Sequence, residues 1–419
     1  MKRHFLFIAL ISCALGANAQ NVLIKNATVH TATSQGTLKN TDVLVQGGII
    51  RAVGKQLTAP AGTASFDAQG KSLTPGLFAG ITGIGIEEVS QEDSTVDANL
   101  NLKTGDSGLI ENLRPEFDVT LAYNPRSTLL AVARVGGMSF TALGTSGALL
   151  SGQGGVMRLD GSYEPVANRR TPYIVIGSSK LGQSGSSRAA QFMLLEQAFN
   201  EAKAPTVGDE RLLTSKGRAA LNQGMLNSRF LVSVNREADI RQVLKLAQKF
   251  NIRVALVGAS EGWRLADQLA ASNTPVFIDA LDVLPGSFEQ LGATDDNAAR
   301  LQRAGVSVSF INGNDASHNA RKVRQIAGNA VANGLPWEAG LAGITSAPAK
   351  ALGVDAQIGS IQIGKTADLV LWTADPLDVS STAQAMWLAG KSIPMVSRQT
   401  LLRDRYLAPS NGLPRAYQQ

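Results

Sequence analysis

The chain has 419 residues, of which 44% are hydrophobic, 17% charged and only 5% aromatic, with a formal net charge of +6. That length and apolar content suit a large buried core, as one big domain plus a smaller one, and exclude a disordered chain. The positive charges form no basic run and have few aromatic residues among them, so no nucleic-acid partner is expected.

The chain opens with Lys2, Arg3 and His4, an apolar run from Phe5 to Leu15, and Ala17-Asn18-Ala19 before Gln20. This is the anatomy of a secretory signal with an A-x-A cleavage site, so export to a periplasmic or extracellular location is expected. The apolar run is shorter than the roughly 20 residues a permanent membrane helix needs. Leu10-Ile11-Ser12-Cys13 also permits a lipoprotein reading, with an unusually short leader. Cleavage after Ala19 removes the single cysteine, and with it any disulfide, thiol nucleophile or thiolate metal site. The loss of Lys2 and Arg3 lowers the formal charge from +6 to +4.

From Asn21 to Thr74 the pattern is short and strand-like: NVLIKNATVHT, then TDVLVQGGIIRAVG with Gly47-Gly48 as a hairpin turn. Such strands cannot bury both faces alone. The same alternation returns in TADLVLWTADP and AQAMWLAGKSIP, between Thr366 and Pro394, so a small sandwich built from both termini is expected. The middle alternates apolar runs with helical periodicity: FLVSVN then READIRQVLKLAQKF, RVALVG then WRLADQLAAS, TPVFID, and VSVSFIN then NARKVRQIAGNAVANG. About eight such strands between Leu77 and Asn312 predict a parallel sheet closed into a barrel, with its site at the carboxyl ends of the strands. The expected fold is α/β, a TIM-like (β/α)8 barrel with the terminal sandwich. Its expected parts are a signal peptide over 1–19, sandwich over 20–74, barrel over 75–356, sandwich over 357–404 and a tail over 405–419.

Several stretches in order carry a resemblance: LIKNATVHT, LTPGL, NPRS at 124–127, SGQGGVMRLDG at 151–161, GNDASHNAR at 313–321 and ITSAPAKALG with GSIQIGKTADLVLW. Together they resemble the amidohydrolase superfamily, close to its imidazolonepropionase-like branch. The resemblance implies a barrel with a terminal sandwich and metal-dependent hydrolysis of non-peptide C–N bonds in cyclic amides or amidines. It also implies an Asp-x-His-x-His ending on the first barrel strand. That pattern falls on Ala79, Ile81 and Gly83, while the fifth and sixth strand ends read VSVN, with Ser233 at the ligand position, and VGAS.

Only His30 and His318 remain after the leader, and His30 belongs to the sandwich. One imidazole cannot make a four-histidine centre, so no metal is expected at the family site. A carboxylate cluster from Glu87, Glu88, Asp279, Asp282 and Asp315 would suit calcium or magnesium better than zinc.

Asp315 matches the family's eighth-strand carboxylate, a proton shuttle for metal-bound water. Zinc lowers the pKa of water from about 15.7 to about 7, a difference of roughly 12 kcal/mol that a carboxylate with a pKa near 3.9 cannot supply. Capping the following helix or binding a ligand therefore outweighs catalysis for Asp315. His318, three residues on, can bind a ligand, pair with Asp315 or face solvent. Glu87 can line the same mouth or lie in solvent.

Arg126 in NPRS and Gln153 in SGQGG are polar residues on loops of the barrel domain, and Arg236 follows the fifth strand, where it can hold a carboxylate or phosphate. Gly258-Ala259-Ser260-Glu261-Gly262 also fits the G-x-S-x-G nucleophile motif, in the chain order Ser260, Asp282, His318. That motif belongs to a doubly wound sheet rather than a barrel, and a serine there is more often a turn residue.

Two functions follow as expectations. The first is a small-molecule-binding or partner subunit with a degenerate metal site, as a homo-oligomer or beside an intact amidohydrolase. The alternative is an active C–N hydrolase using Asp315 and His318, with a divalent metal such as zinc.

Overall fold

The computed structural model describes residues 21–100, 113–145, 147–177, 186–204 and 211–407. The leader with Cys13, and the last residues of the expected tail, lie outside them. The strands in chain order are Val22–His30 (β1), Thr37–Gln46 (β2), Ile49–Gly54 (β3), Ala64–Asp67 (β4), Ser72–Pro75 (β5) and Leu77–Thr82 (β6). Met138–Leu143 (β7), Leu150–Gly154 (β8), Val156–Arg158 (β9), Thr171–Val175 (β10), Arg229–Val234 (β11) and Arg253–Gly258 (β12) follow. Val276–Ile278 (β13), Val308–Phe310 (β14), Leu369–Trp372 (β15), Ala383–Leu388 (β16) and Lys391–Ile393 (β17) complete the set.

Strands from both ends of the chain hydrogen-bond into one eight-stranded sheet, in the order β17-β16-β15-β5-β1-β2-β3, with β4 also on β1. This is one continuous sheet where two stacked sheets are expected. It curls on itself: Ile49 on β3 bridges Thr366 just ahead of β15, and Ile24, Val45, Ile50, Leu369 and Trp387 share one buried cluster. Alternation on β15 explains its central place. Leu369 and Leu371 enter that cluster, while Val370 and Trp372 face the main core.

The middle of the chain forms a six-stranded sheet, β14-β13-β12-β11-β10-β8, and a three-stranded one, β6-β7-β9. The expected closed ring is not formed by strand pairing among the described residues. At each seam a third segment ties the neighbours. β8 and β9 are separated by Gly155 alone, and pair with β10 and β7 respectively. On the other side Phe78 and Phe310 donate their N–H groups to Ile344 and Gly343, so the 343–344 segment lies between β6 and β14.

β11 to β14 are buried on both faces, as their near-continuous apolar sequences require. Phe230, Val232, Val254, Leu256, Val276 and Ile278 pack outward on helices. The alternate residues Leu231, Ala255 and Phe277 meet Phe78 and Phe140 of the other sheet in a separate inner cluster. The helix Glu237–Phe250 shows the local logic: Ile240, Val243, Ala247 and Phe250 fall on one buried face. Each fully buried side chain of this kind contributes about 1.5–3 kcal/mol. Asn251 in the left-handed conformation ends that helix and turns the chain into β12.

Candidate functional site

The carboxyl ends of β6 and of β11 to β14 meet in one region, where parallel strands leave unpaired backbone groups and the loops carry polar residues. At the end of β6 the backbone N–H of Gly83 donates to Ser317 Oγ at 2.9 Å, and that hydroxyl donates to Glu87 Oε2 at 2.7 Å. The chain turns back sharply after Gly83, since Ile84 and Glu87 form a bridge. The return brings Glu87 beneath Gly83. A Cβ on Gly83 would lie 2.6 Å from Glu87 Oε2 and 3.2 Å from Ser317 Oγ.

Three of the residues singled out by sequence come together here. Atoms of Glu87, Asp315 and His318 lie within 4.8 Å of one another, and His318 Nε2 stands 3.9 Å from Glu87 Oε1. Asp315 is exposed, adopts a left-handed backbone at φ +47°, and accepts from Asn319 Nδ2 at 3.3 Å. It does not cap the long helix Val323–Ala332, which begins only after a short turn at 320–322.

The other three candidates stand apart from this group. Arg126 is exposed on its loop, with its backbone N–H on Asn124 Oδ1. Gln153 is half-buried within β8, its N–H on Phe117 O. Arg236 stacks 4.8 Å over the Phe288 ring and faces Asp239 at 3.9 Å. Asp239 also takes Arg188 at 3.0 Å, and Arg188 reaches on to Glu289.

The histidine centre that the resemblance implies is not matched at the strand-end positions it points to. Ile81 packs against the inner apolar cluster, and the second ligand position has no side chain, a Cβ there meeting the Glu87 carboxylate. Ser233 offers a hydroxyl where the family pattern places an imidazole, a poor donor for zinc. His30 is buried between Thr37 and Ser72, at 2.9 and 3.1 Å, in the eight-stranded sheet. Burial holds its pKa below the ordinary imidazole value, against the opposing pull of Asp375 and Glu338.

The serine motif has a structural explanation. Gly258 takes φ +93°, and any Cβ there would strike Asn235 Oδ1 at 2.3 Å. Ser260 Oγ donates to that same oxygen at 3.1 Å, and Asp282 accepts from Gln290. Neither is hydrogen-bonded to His318.

Beside this turn a cavity of 310 Å³ opens at the ends of β11 to β14, lined among others by Ser233, Asn235, Ser260, Asp279, Asp282 and Asn297. Asp279 is fixed by two backbone N–H groups, Leu281 at 3.0 Å and Gly313 at 2.9 Å. Burial, with the Asp279 charge beside it, pushes the Asp282 carboxyl above the usual range. Asn235 and Ser317 lie in stretches the sequence marks at strand ends, whereas Asn297 carries no motif signal, because it gains its place from contacts distant in sequence.

Comparison with known proteins agrees with this fold. Residues 244–396 match the amidohydrolase family. The chain is 40% identical over 72 residues to amidohydrolase tasK of Hapsidospora irregularis, 17% of this chain and 7% of that protein. It is 46% identical over 57 residues to a dihydroorotase of Pelobacter propionicus, 14% of this chain and 13% of the relative. These matches thus span only a small part of the curated relatives' length. Among solved structures, an amidohydrolase from Thermotoga maritima superposes with a TM-score of 0.76 at 24% identity, over 89% of this chain and 99% of that one. Atrazine chlorohydrolase TrzN from Arthrobacter aurescens TC1, as a variant with zinc and atraton, gives 0.55 at 16% identity, over 91% and 98%. At these identities the structural likeness speaks to the fold alone.

Proposed function

We propose that this protein, with its amidohydrolase-family domain, is a degenerate member of that superfamily that binds a small molecule or a partner rather than hydrolysing a C–N bond. We place it near the imidazolonepropionase-like branch and read its two inner sheets as a modified β/α barrel. One observation carries the reading: the place a second first-strand histidine would need is taken by the Glu87 carboxylate and the Ser317 hydroxyl. Ile81 at the first position and Ser233 on β11 support it. The experiment is metal analysis of the exported protein purified without chelator, joined to hydrolysis assays on cyclic imides, hydantoins, imidazolones and dipeptides. Export, and assembly with itself or with an intact amidohydrolase, belong to the same proposal.

The grouping of Glu87, Asp315 and His318 within 4.8 Å favours a second reading, an active hydrolase on C–N bonds with an atypical site. Two carboxylates and an imidazole are a chemically competent set for one divalent ion. Stoichiometric metal, with turnover lost on chelation and in Asp315→Ala, would select this reading.

A further inference from the structure

The walls of the 310 Å³ cavity are unbalanced in charge and in hydrogen bonding. Asp279, Asp282 and Asp295 line it, and among the described residues no lysine or arginine does. Asn297, more than nine-tenths buried, forms part of the wall. Its amide nitrogen donates to Ala259 O at 3.1 Å, while its Oδ1 is buried without a hydrogen-bond partner. An orphaned buried acceptor costs about 1–3 kcal/mol, and native proteins keep few of them. Asp279 cannot swing away to relieve the crowding, because two backbone N–H groups hold it. Among the described residues the walls therefore present three carboxylates and an unpaired amide oxygen, with neutral hydroxyl and amide groups but no cationic side chain.

We propose that this cavity binds a small organic cation rich in N–H donors, an alkylammonium, amidinium or guanidinium compound. The proposal rests on the ligand-binding reading and names its ligand class. Size favours an organic ligand over a bare ion: the space is about ten times the roughly 30 Å³ that one water occupies in the liquid, and small-molecule pockets begin near 300 Å³. The cation sits against Asp279, reaches Asp282 and Asp295 at the rim, and gives Asn297 Oδ1 the donor it lacks.

The test is calorimetric titration of the full exported protein with agmatine, against 1-butanol, butanoate and calcium chloride as separate arms. Agmatine is expected to saturate one site with a Kd below about 1 mM, and the neutral and anionic compounds are not. Asp282→Asn and Asp295→Asn are each expected to weaken agmatine by about tenfold, as lost charge-assisted hydrogen bonds do. Asn297→Leu is expected to abolish binding. Asp295 is exposed and has no side-chain hydrogen bond that the fold requires, so its variant keeps the test decisive if Asn297→Leu does not fold. No agmatine binding, equal binding of butanoate, indifference to Asp295→Asn, or calcium saturating the site in agmatine's place would each overturn the inference. Metal content and turnover measured on the same sample separate the two claims. A metal-bearing active preparation defeats the degenerate-site reading, whereas an inert metal-free one that ignores agmatine defeats only the cation.

Discussion

The Glu87 carboxylate stands where a side chain on Gly83 would have to go, 2.6 Å from the position its Cβ would take. The glycine at that position is therefore not an empty ligand slot. Its space belongs to a relay in which Gly83 N–H, Ser317 Oγ and Glu87 Oε2 satisfy one another at the end of β6.

Gly83→Ala is expected to destabilise the protein by about 1–3 kcal/mol, the usual cost of overpacking. In the double variant with Glu87→Ala the cost should be less than the sum of the single ones, since the carboxylate is the obstacle. Urea unfolding measures both. A neutral Gly83→Ala would show that Glu87 moves aside freely and that the space is open.

A second expectation concerns the join between the terminal sheet and the inner strands. Arg158 on β9 holds Asp368, just before β15, through two contacts of 2.5 and 3.3 Å, and Asp368 is 5% exposed. Burial pushes that carboxyl upward, and the guanidinium opposes the shift. Removing one partner of a buried pair leaves the other charge uncompensated, so Arg158→Met is expected to cost about 3–5 kcal/mol. Adding Asp368→Leu should recover part of the loss. A change of under about 1 kcal/mol in Arg158→Met, the level of a surface pair, would contradict the account.

Much of the fold is legible in the sequence because strands buried on both faces must be written in apolar residues. FLVSVN, RVALVG, TPVFID and VSVSFIN each coincide with an inner strand, and Gly47-Gly48 turns β2 into β3. TADLVLW contains β15, whose partner β5 lies some three hundred residues earlier. The closed ring expected from these strands is not formed by strand pairing among the described residues: the seams fall at Gly155 and at the 343–344 segment, which pair through single backbone groups without any strand pattern. Of the site, Glu87, Asp315 and His318 were readable as titratable groups near strand ends. Asn297 was not, and Asn235 and Ser317 were marked only as parts of strand-end stretches, since an Asn or Ser is ordinary in sequence until distant contacts bury it. Arg236 was read as able to hold a carboxylate or phosphate, and the Phe288 ring and Asp239 carboxylate that engage it could not be placed from sequence.

Acid stability should report on His30. Its pKa lies below the ordinary imidazole value because it is buried, so the unfolded chain binds the proton more readily than the native one. The native advantage is full above about pH 6.5 and is lost as pH falls through the folded value. The melting temperature is expected to drop over that acid range in the native sequence, and less in His30→Asn. Parallel pH profiles for the two proteins would contradict this.

Truncation at Gly364 is expected to give an insoluble product. It removes β15, β16 and β17, leaves β5 without its β15 partner, and takes Val370 and Trp372 out of the main core. The exposed edge of β5 and the apolar face then favour aggregation. A soluble truncation that melts cooperatively would contradict the shared sheet.

The proposed absence of a metal site is tested most directly by the metal content of the protein, purified without chelator, alongside its hydrolytic activity. The account predicts less than one equivalent of transition metal and no metal-stimulated hydrolysis of cyclic imides, hydantoins, imidazolones or dipeptides, with Asp315→Ala changing no turnover. Stoichiometric zinc, with activity abolished both by chelation and by Asp315→Ala, would contradict it.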